Sequence, residues 1–226
     1  MQDRLLSQVP LFAELPPDRI RELAQMCRRR TYQRGETIFH KGDPASGLYV
    51  ITDGQVKIVL PSETGEEALL AVLEPGDFFG ELALFDGQPR SATVVAVKRA
   101  EALLLPRDDF LGFVARNPEV AIALFAVLSR RLRATDELIE DAVFLDVPGR
   151  LAKRLLDLAA RHGRQTDQGI EIDIKLTQQD LAAMVGATRE SVNKHLGWMR
   201  DRRLLLLDRQ RIILLRPDEL RKRIYY

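Results

Sequence analysis

The spacing of apolar positions changes period three times along the chain. Up to about residue 27 it fits two short helices, interrupted by Pro10 and by the pair Pro16-Pro17, with Asp18 placed to open the second over IRELAQMC. From about Thr31 to Pro106 it breaks into short β-rich segments at residues 37–41, 47–54, 55–60, 67–73, 91–97 and 101–106. The breaks between them (KGDPAS, TDG, PSETGEE, EPGD and DGQP) are rich in Gly, Pro, Asp and Ser, the residues that supply turn backbone angles and local side-chain caps. Many short strands at intervals of about 8–12 residues predict an antiparallel roll or barrel.

After Asn117-Pro118 the period becomes helical. Apolar residues recur at Val120, Ala121, Leu124, Leu128, Leu132, Leu138, Ile139, Ala142 and Val143, with Arg130, Arg131, Arg133, Glu137 and Glu140 on the other faces. A helix of this length with such a seam packs on a partner helix, here a copy of itself, or on its own barrel; the two can hold over different parts of it. Pro148 cannot continue helical hydrogen bonding, which puts a boundary or hinge at residues 146–149. The predicted division is then a β-roll domain over 1–116, a long helix over 117–145, the hinge, and a second domain over 150–226.

In that second domain GRLAKRLLDLAARHG is an amphipathic helix and GIEIDIKL alternates as a strand. LTQQDLAAMVGATRESVNKHL then holds two helices joined by a tight turn. Thr177 caps the first with Asp180 as a short-chain capping box, Gly186 stops it in the left-handed conformation, and Thr188 caps the second. Leu181, Met184 and Val185 face Val192, Leu196 and Met199, which makes a helix-turn-helix. LLLLDRQRIILL closes the domain as a hairpin, a wing. Core packing is the expected role of Trp198.

Composition alters this picture in two ways. The 226 residues are 46% hydrophobic and 30% charged, as in a folded soluble protein, and no apolar run reaches membrane-spanning length. With no signal-peptide pattern, a cytoplasmic location is expected. The single cysteine, Cys27, excludes an intrachain disulfide, a multi-cysteine metal site and an iron–sulfur cluster; three scattered histidines give haem or metal no ligand set. The net charge of +1 hides an asymmetry: residues 1–147 carry 17 Lys/Arg against 23 Asp/Glu, and residues 148–226 carry 17 against 10. An acidic front joined to a basic back implies that the back half meets a polyanion. On the second helix of the motif the outward residues are Arg189, Glu190, Asn193 and Lys194, with His195 at their margin, and Arg, Lys and Glu are donors and acceptors suited to guanine and cytosine edges. Thr177, Gln178 and Gln179 at the start of the first helix, and Thr188 before the second, complete the set of candidate DNA-binding residues.

The stretch PGDFFGELALFDGQPRSATVVAV sets a carboxylate, Glu81, and a guanidinium, Arg90, in chain of core composition. Either they pair with each other, or they face a ligand bearing both hydroxyls and negative charge. Gly80 permits close approach, the turn after it frees backbone N–H groups, and Arg90 and Ser91 bring a fixed cation and a hydroxyl. Nothing converges as an acid–base pair or nucleophile, so an enzyme is not expected.

FGELALFDGQPRSA and LTQQDLAAMVGATRESVNKHL, joined by a long helix ending in FLDVPGR, resemble the cAMP receptor protein family of bacterial transcription regulators, from about Leu11 to Leu220. The resemblance implies an α+β, two-domain fold: an N-terminal antiparallel β-roll of the cyclic-nucleotide-binding type, a long dimerisation helix and a C-terminal winged helix-turn-helix. It implies that Arg90 and Ser91 hold a cyclic phosphate, that Glu81 accepts the ribose 2′-OH, and that backbone around Gly80 and Leu82 completes the cradle. Ile58, Leu70 and Leu73 would wall the base, and Thr135 would bond the adenine amine. It further implies a homodimer, cAMP as allosteric effector, palindromic TGTGA-like sites on double-stranded DNA, and RNA polymerase as a partner. Two residues depart from the best-known members: Asp136 replaces a serine at the base, which also admits cGMP, and Lys194 replaces an arginine of the recognition helix.

Overall fold

The computed structural model describes residues 2–63, 67–172, 177–208 and 211–224. The chain divides into two compact units, Met1–Arg133 and Ala134–Tyr226, so the division falls inside the long helix.

The first unit opens with α1 (Gln2–Leu6) and α2 (Pro17–Met26). Pro17, not Asp18, takes the first helical position of α2, where its missing N–H costs nothing. Then follow β1 (Arg28–Tyr32), β2 (Thr37–Phe39), β3 (Gly47–Asp53), β4 (Val56–Pro61), β5 (Glu67–Leu73), β6 (Phe78–Phe79), the single turn α3 (Leu82–Phe85), β7 (Thr93–Ala96), β8 (Ala100–Pro106), α4 (Arg107–Arg116) and α5 (Pro118–Phe144). Among the described residues the strands make two antiparallel sheets, ordered β1-β8-β3-β6 and β2-β7-β4-β5.

Alternation of side chains in β3 and β8 explains why these strands read as nearly unbroken apolar runs. Leu48, Val50, Leu103 and Leu105 join Phe110, Phe113, Val120 and Leu124 in a core shared with the helices. Tyr49, Ile51 and Ala102 point the other way and meet Val56, Leu73, Phe79 and Val94 between the two sheets. A strand buried on both faces has no polar positions to alternate with.

β1, the two-residue β6 and α4 lie outside the predicted pattern. β1 is three consecutive arginines and two further residues, held at a sheet edge by its register with β8 and by Arg29 and Arg99 paired to Glu101. α4 meets α5 at a bend of 111°. Asn117 makes the bend: its side chain is buried and donates to Phe113 O at 2.8 Å, and Pro118 restarts the helix. No single helix among the described residues is long and apolar enough to cross a membrane.

Along α5 the predicted seam resolves into two faces. Val120 and Leu124 are buried in the unit's own core, with Leu128 half-buried beside them. Ile122, Phe125, Leu132, Ile139, Val143 and Phe144 stand 59–77% exposed. Phe125, Leu132 and Ile139 recur every seven residues, the interval of a helix–helix seam.

The second unit continues α5 into α6 (Val147–His162), β9 (Gly163–Thr166), β10 (Gly169–Ile172), α7 (Gln178–Val185), α8 (Arg189–Asp201), β11 (Leu205–Asp208), β12 (Arg211–Leu214) and α9 (Pro217–Lys222). Pro148 does not stand in a linker: it lies in the first turn of α6, where no N–H is missed. The break is two residues, Leu145 and Asp146, and Asp146 caps α6 by accepting from Gly149 N at 2.8 Å. Arg150 donates to Leu145 O and to Val185 O, both at 2.8 Å, tying the break to the end of α7. Lys153 of α6 pairs with the buried Asp141 of α5 at 2.5 Å. Residues 173–176 of the predicted strand and 209–210 of the wing turn lie outside the described residues; the described strands form a sheet ordered β11-β12-β10-β9.

Asp157 on α6 gives this unit a pH signature. Burial raises its carboxyl above the usual value, against the opposing pull of Arg154, Lys153 and Arg161. The native state therefore holds a proton that the unfolded chain releases near pH 3.9. Stability from this residue falls as pH rises from there through the raised folded value. Asp157→Asn is expected to lose that part of the pH slope, measured by thermal melts of both proteins between pH 4 and 7.

Candidate functional site

Glu81 and Arg90 are brought to the same end of the roll by β6 and α3 on one side and by the loop before β7 on the other. Both are buried, at 4% and 3% exposure. They do not form an ion pair. Arg90 donates from Nη1 to Gly80 O at 2.6 Å and from Nη2 to Gly47 O at 3.0 Å and Ser46 Oγ at 3.3 Å. Its Nε is buried with no partner among the described residues. Burial lowers the guanidinium below the usual arginine value, and the charges of Glu81 and Asp43 work against that; arginine stays cationic regardless.

Glu81 pairs instead with Arg131 of α5, Nη1 to Oε1 at 2.7 Å. Arg131 also donates to Phe78 O at 2.5 Å and lies over the Phe78 ring, 4.7 Å from its centroid. Arg131 is one of the charges that apolar spacing sets on the other faces of the helix; in the fold it meets the roll. The signal that finds it is register: residues 120, 124, 128 and 131 follow one helical stripe, so an arginine here extends the face that packs on the roll.

Gly80 has φ +85°, and a Cβ on it would stand 2.6 Å from Arg90 Nη1. Gly80→Ala is expected to cost about 1–3 kcal/mol of backbone strain and to push the guanidinium off the Gly80 carbonyl. A melt of the variant, with a nucleotide titration beside it, checks both effects.

The other predicted residues of this site are distributed as follows. Ser91 and Leu82 are exposed, Leu82 at 47%. Leu73 is buried between the sheets, with Ile58 packed against that cluster. Leu70 stands apart from them at 42% exposure, as the extra residue where the β4–β5 register shifts between Ile58 and Val59. Thr135 and Asp136 are exposed on α5, in the part counted with the second unit.

In the second unit the helix-turn-helix is built as its caps predict. Thr177 and Asp180 make a reciprocal capping box, Gly186 takes φ 60° and ψ 49° after α7, and Thr188 accepts from Ser191 N at 3.2 Å. Leu181, Ala182 and Val185 of α7 and Val192, Leu196 and Met199 of α8 are buried with Leu151, Leu155 and Leu158 of α6. At the start of α8, Arg189 and Glu190 are exposed, as is Lys194, while Asn193 is half-buried. Neither Arg189 nor Lys194 is paired with an acid among the described residues. Thr177, Gln178 and Gln179 are exposed at the start of α7, though the Thr177 hydroxyl is already committed to Asp180 at 2.7 Å. Trp198 is not a core residue. It is half-buried, with the Arg202 guanidinium 3.9 Å and that of Arg223 5.3 Å from its ring centre.

Comparison with known proteins follows the same division. Residues 29–117 match the cyclic nucleotide-binding domain family, and residues 149–223 match the Crp-like helix-turn-helix domain family. The chain is 38% identical over 218 residues to a CRP-like cAMP-activated global transcriptional regulator of Mycobacterium tuberculosis, covering 93% of this chain and 97% of that protein. It is 37% identical over 180 residues to the cAMP-activated global transcriptional regulator CRP of Escherichia coli, covering 79% and 85%. Among solved structures, the c-di-GMP responsive global regulator CLP of Xanthomonas campestris superposes with a TM-score of 0.80 at 25% identity, covering 88% of this chain and 99% of that one. The chain thus belongs to the CRP family, as a cyclic-nucleotide-binding, DNA-binding transcription regulator and not an enzyme.

Proposed function

We propose that this protein is a homodimer whose effector is cAMP and which, with cAMP bound, takes palindromic TGTGA-like sites on double-stranded DNA through α8. The observation that carries the reading is the buried Arg90 beside Gly80 and Glu81, a cation and a hydroxyl acceptor enclosed by one roll. In this reading Arg90 and Ser91 take the cyclic phosphate, Glu81 the ribose 2′-OH, and Ile58, Leu73 and Leu70 line the base. Thr135 and Asp136 are assigned to the base by the family resemblance. The names of the Mycobacterium and Escherichia relatives, both cAMP-activated, support the choice of nucleotide.

The homodimer is supported by the exposed seam of α5. Two α8 helices related by a dyad enter successive major grooves about 34 Å apart, which requires a palindrome. The effector acts by binding the DNA-competent state more tightly than the other. RNA polymerase is the expected further partner of the DNA-bound dimer, and the cytoplasm its expected place.

A second reading keeps the fold and changes the effector. It draws on Asp136, whose carboxylate accepts N–H groups from guanine as well as adenine, and on the Xanthomonas regulator named for c-di-GMP. Calorimetric titration with cAMP, cGMP and c-di-GMP, followed by binding of a labelled palindrome with and without each, separates the two. Saturable binding of cAMP with a matching gain in DNA affinity is expected. A response to c-di-GMP or cGMP alone selects the second reading.

A further inference from the structure

Arg90 is 3% exposed, so little of its hydration survives, and its hydrogen bonds replace only the part made by the two terminal nitrogens. Its central carbon lies over a ring. Arg90 Cζ is 4.3 Å from the centroid of Phe39, at the end of β2, and 5.8 Å from that of Tyr49. Phe39 is itself wedged. Tyr49 and Phe79 stack at 5.0 Å with 3° between their planes, and Phe39 leans on both, at 5.7 Å and 48° and at 5.8 Å and 45°.

The in-plane contacts to Gly80 O and Gly47 O fix two nitrogens but leave the group free to tilt about the line between them. A ring face against the guanidinium removes that freedom, because stacking favours parallel planes and the negative ring face attracts the cation. The partnerless buried Nε makes the tilt consequential, since a rotated guanidinium no longer presents the same N–H groups to an incoming oxygen.

We propose that Phe39 is a positioning residue of the anion site: its ring face sets the plane in which Arg90 meets the phosphodiester of a bound nucleotide. This rests on the cyclic-nucleotide reading of the site. Nothing in TIFHK singles out the phenylalanine, because an aromatic residue in a strand reads as core.

The test is the dissociation constant for cAMP of the full-length chain by calorimetry, with thermal melts beside it. Phe39→Leu, near in volume but without a ring face, is expected to bind roughly 5- to 30-fold more weakly. Phe39→Tyr, which keeps the face, is expected within about twofold of wild type. Replacing Phe39 by trifluorophenylalanine keeps the shape and depletes the ring face; it is expected to weaken binding by an intermediate factor with no fall in melting temperature. That variant decides the matter alone if Phe39→Leu does not fold. Wild-type affinity in Phe39→Leu overturns the proposal, and so does wild-type affinity in the fluorinated protein, which reduces Phe39 to packing. Failure of the wild-type chain to bind cAMP is a different result: it overturns the reading of the site, and the proposal with it.

Discussion

Arg90→Ala is expected to weaken cyclic-nucleotide binding by about 100-fold or more, since truncating one partner of a buried charge pair costs roughly 2–5 kcal/mol. In the proposed reading the phosphate would enter a site beside a buried arginine, and without the guanidinium its charge would have no replacement for the water it loses. Arg90→Lys is expected to fall between: the charge remains, but a point ammonium cannot hold the Gly80 and Gly47 carbonyls and the ligand together. The Ala variant also strips those carbonyls of their donor, so its melting temperature must be recorded. A folded protein with wild-type affinity would remove Arg90 from the ligand site. Glu81→Gln makes the complementary probe, because it frees Arg131 from its ion pair while keeping an acceptor in place.

Arg189→Ala is expected to weaken binding to a palindromic site by about 10- to 100-fold and to relax base preference at one position of each half-site, the range for losing a base-edge contact. Both consequences follow from where the residue stands, exposed at the first position of α8 and unpaired with any acid among the described residues. Lys194→Ala tests the departure from arginine at that position. A lysine reading guanine changes sequence preference when removed; one resting on phosphate weakens all sequences alike and flattens the salt dependence. Fluorescence anisotropy on a set of single-base variants at several salt concentrations distinguishes the cases. An Arg189→Ala protein with unchanged affinity and preference would remove α8 from base readout.

The parts legible in the chain are those whose cause is local. The caps Thr177 and Thr188, the left-handed Gly186 and the stripe of Val192, Leu196 and Met199 depend on neighbours within a few residues, and each is found as read. Strands with turn residues at both ends were legible for the same reason. β1 was not, because RRRTY has no apolar period and becomes a strand only through the edge of β8. α4 and α9 carry no comparable signal, and Pro148, a breaker inside a helix, is a starter here because it stands in the first turn of α6.

For the candidate site, the chemistry of Glu81 and Arg90 was evident from residue type, and their burial from the company they keep. Their partners were not. That Glu81 meets Arg131, and Arg90 the Gly47 carbonyl and the Phe39 ring, depends on packing between residues 43 to 51 positions apart. The sequence by itself determined the elements with local signals, the two charge-opposed halves and the residue types able to hold a phosphate and read a base. Only the tertiary structure decided which charge neutralises which. Several arginines are chemically alike, and choosing among them is a matter of which side chain the folded backbone brings within about 3 Å of a buried carboxylate.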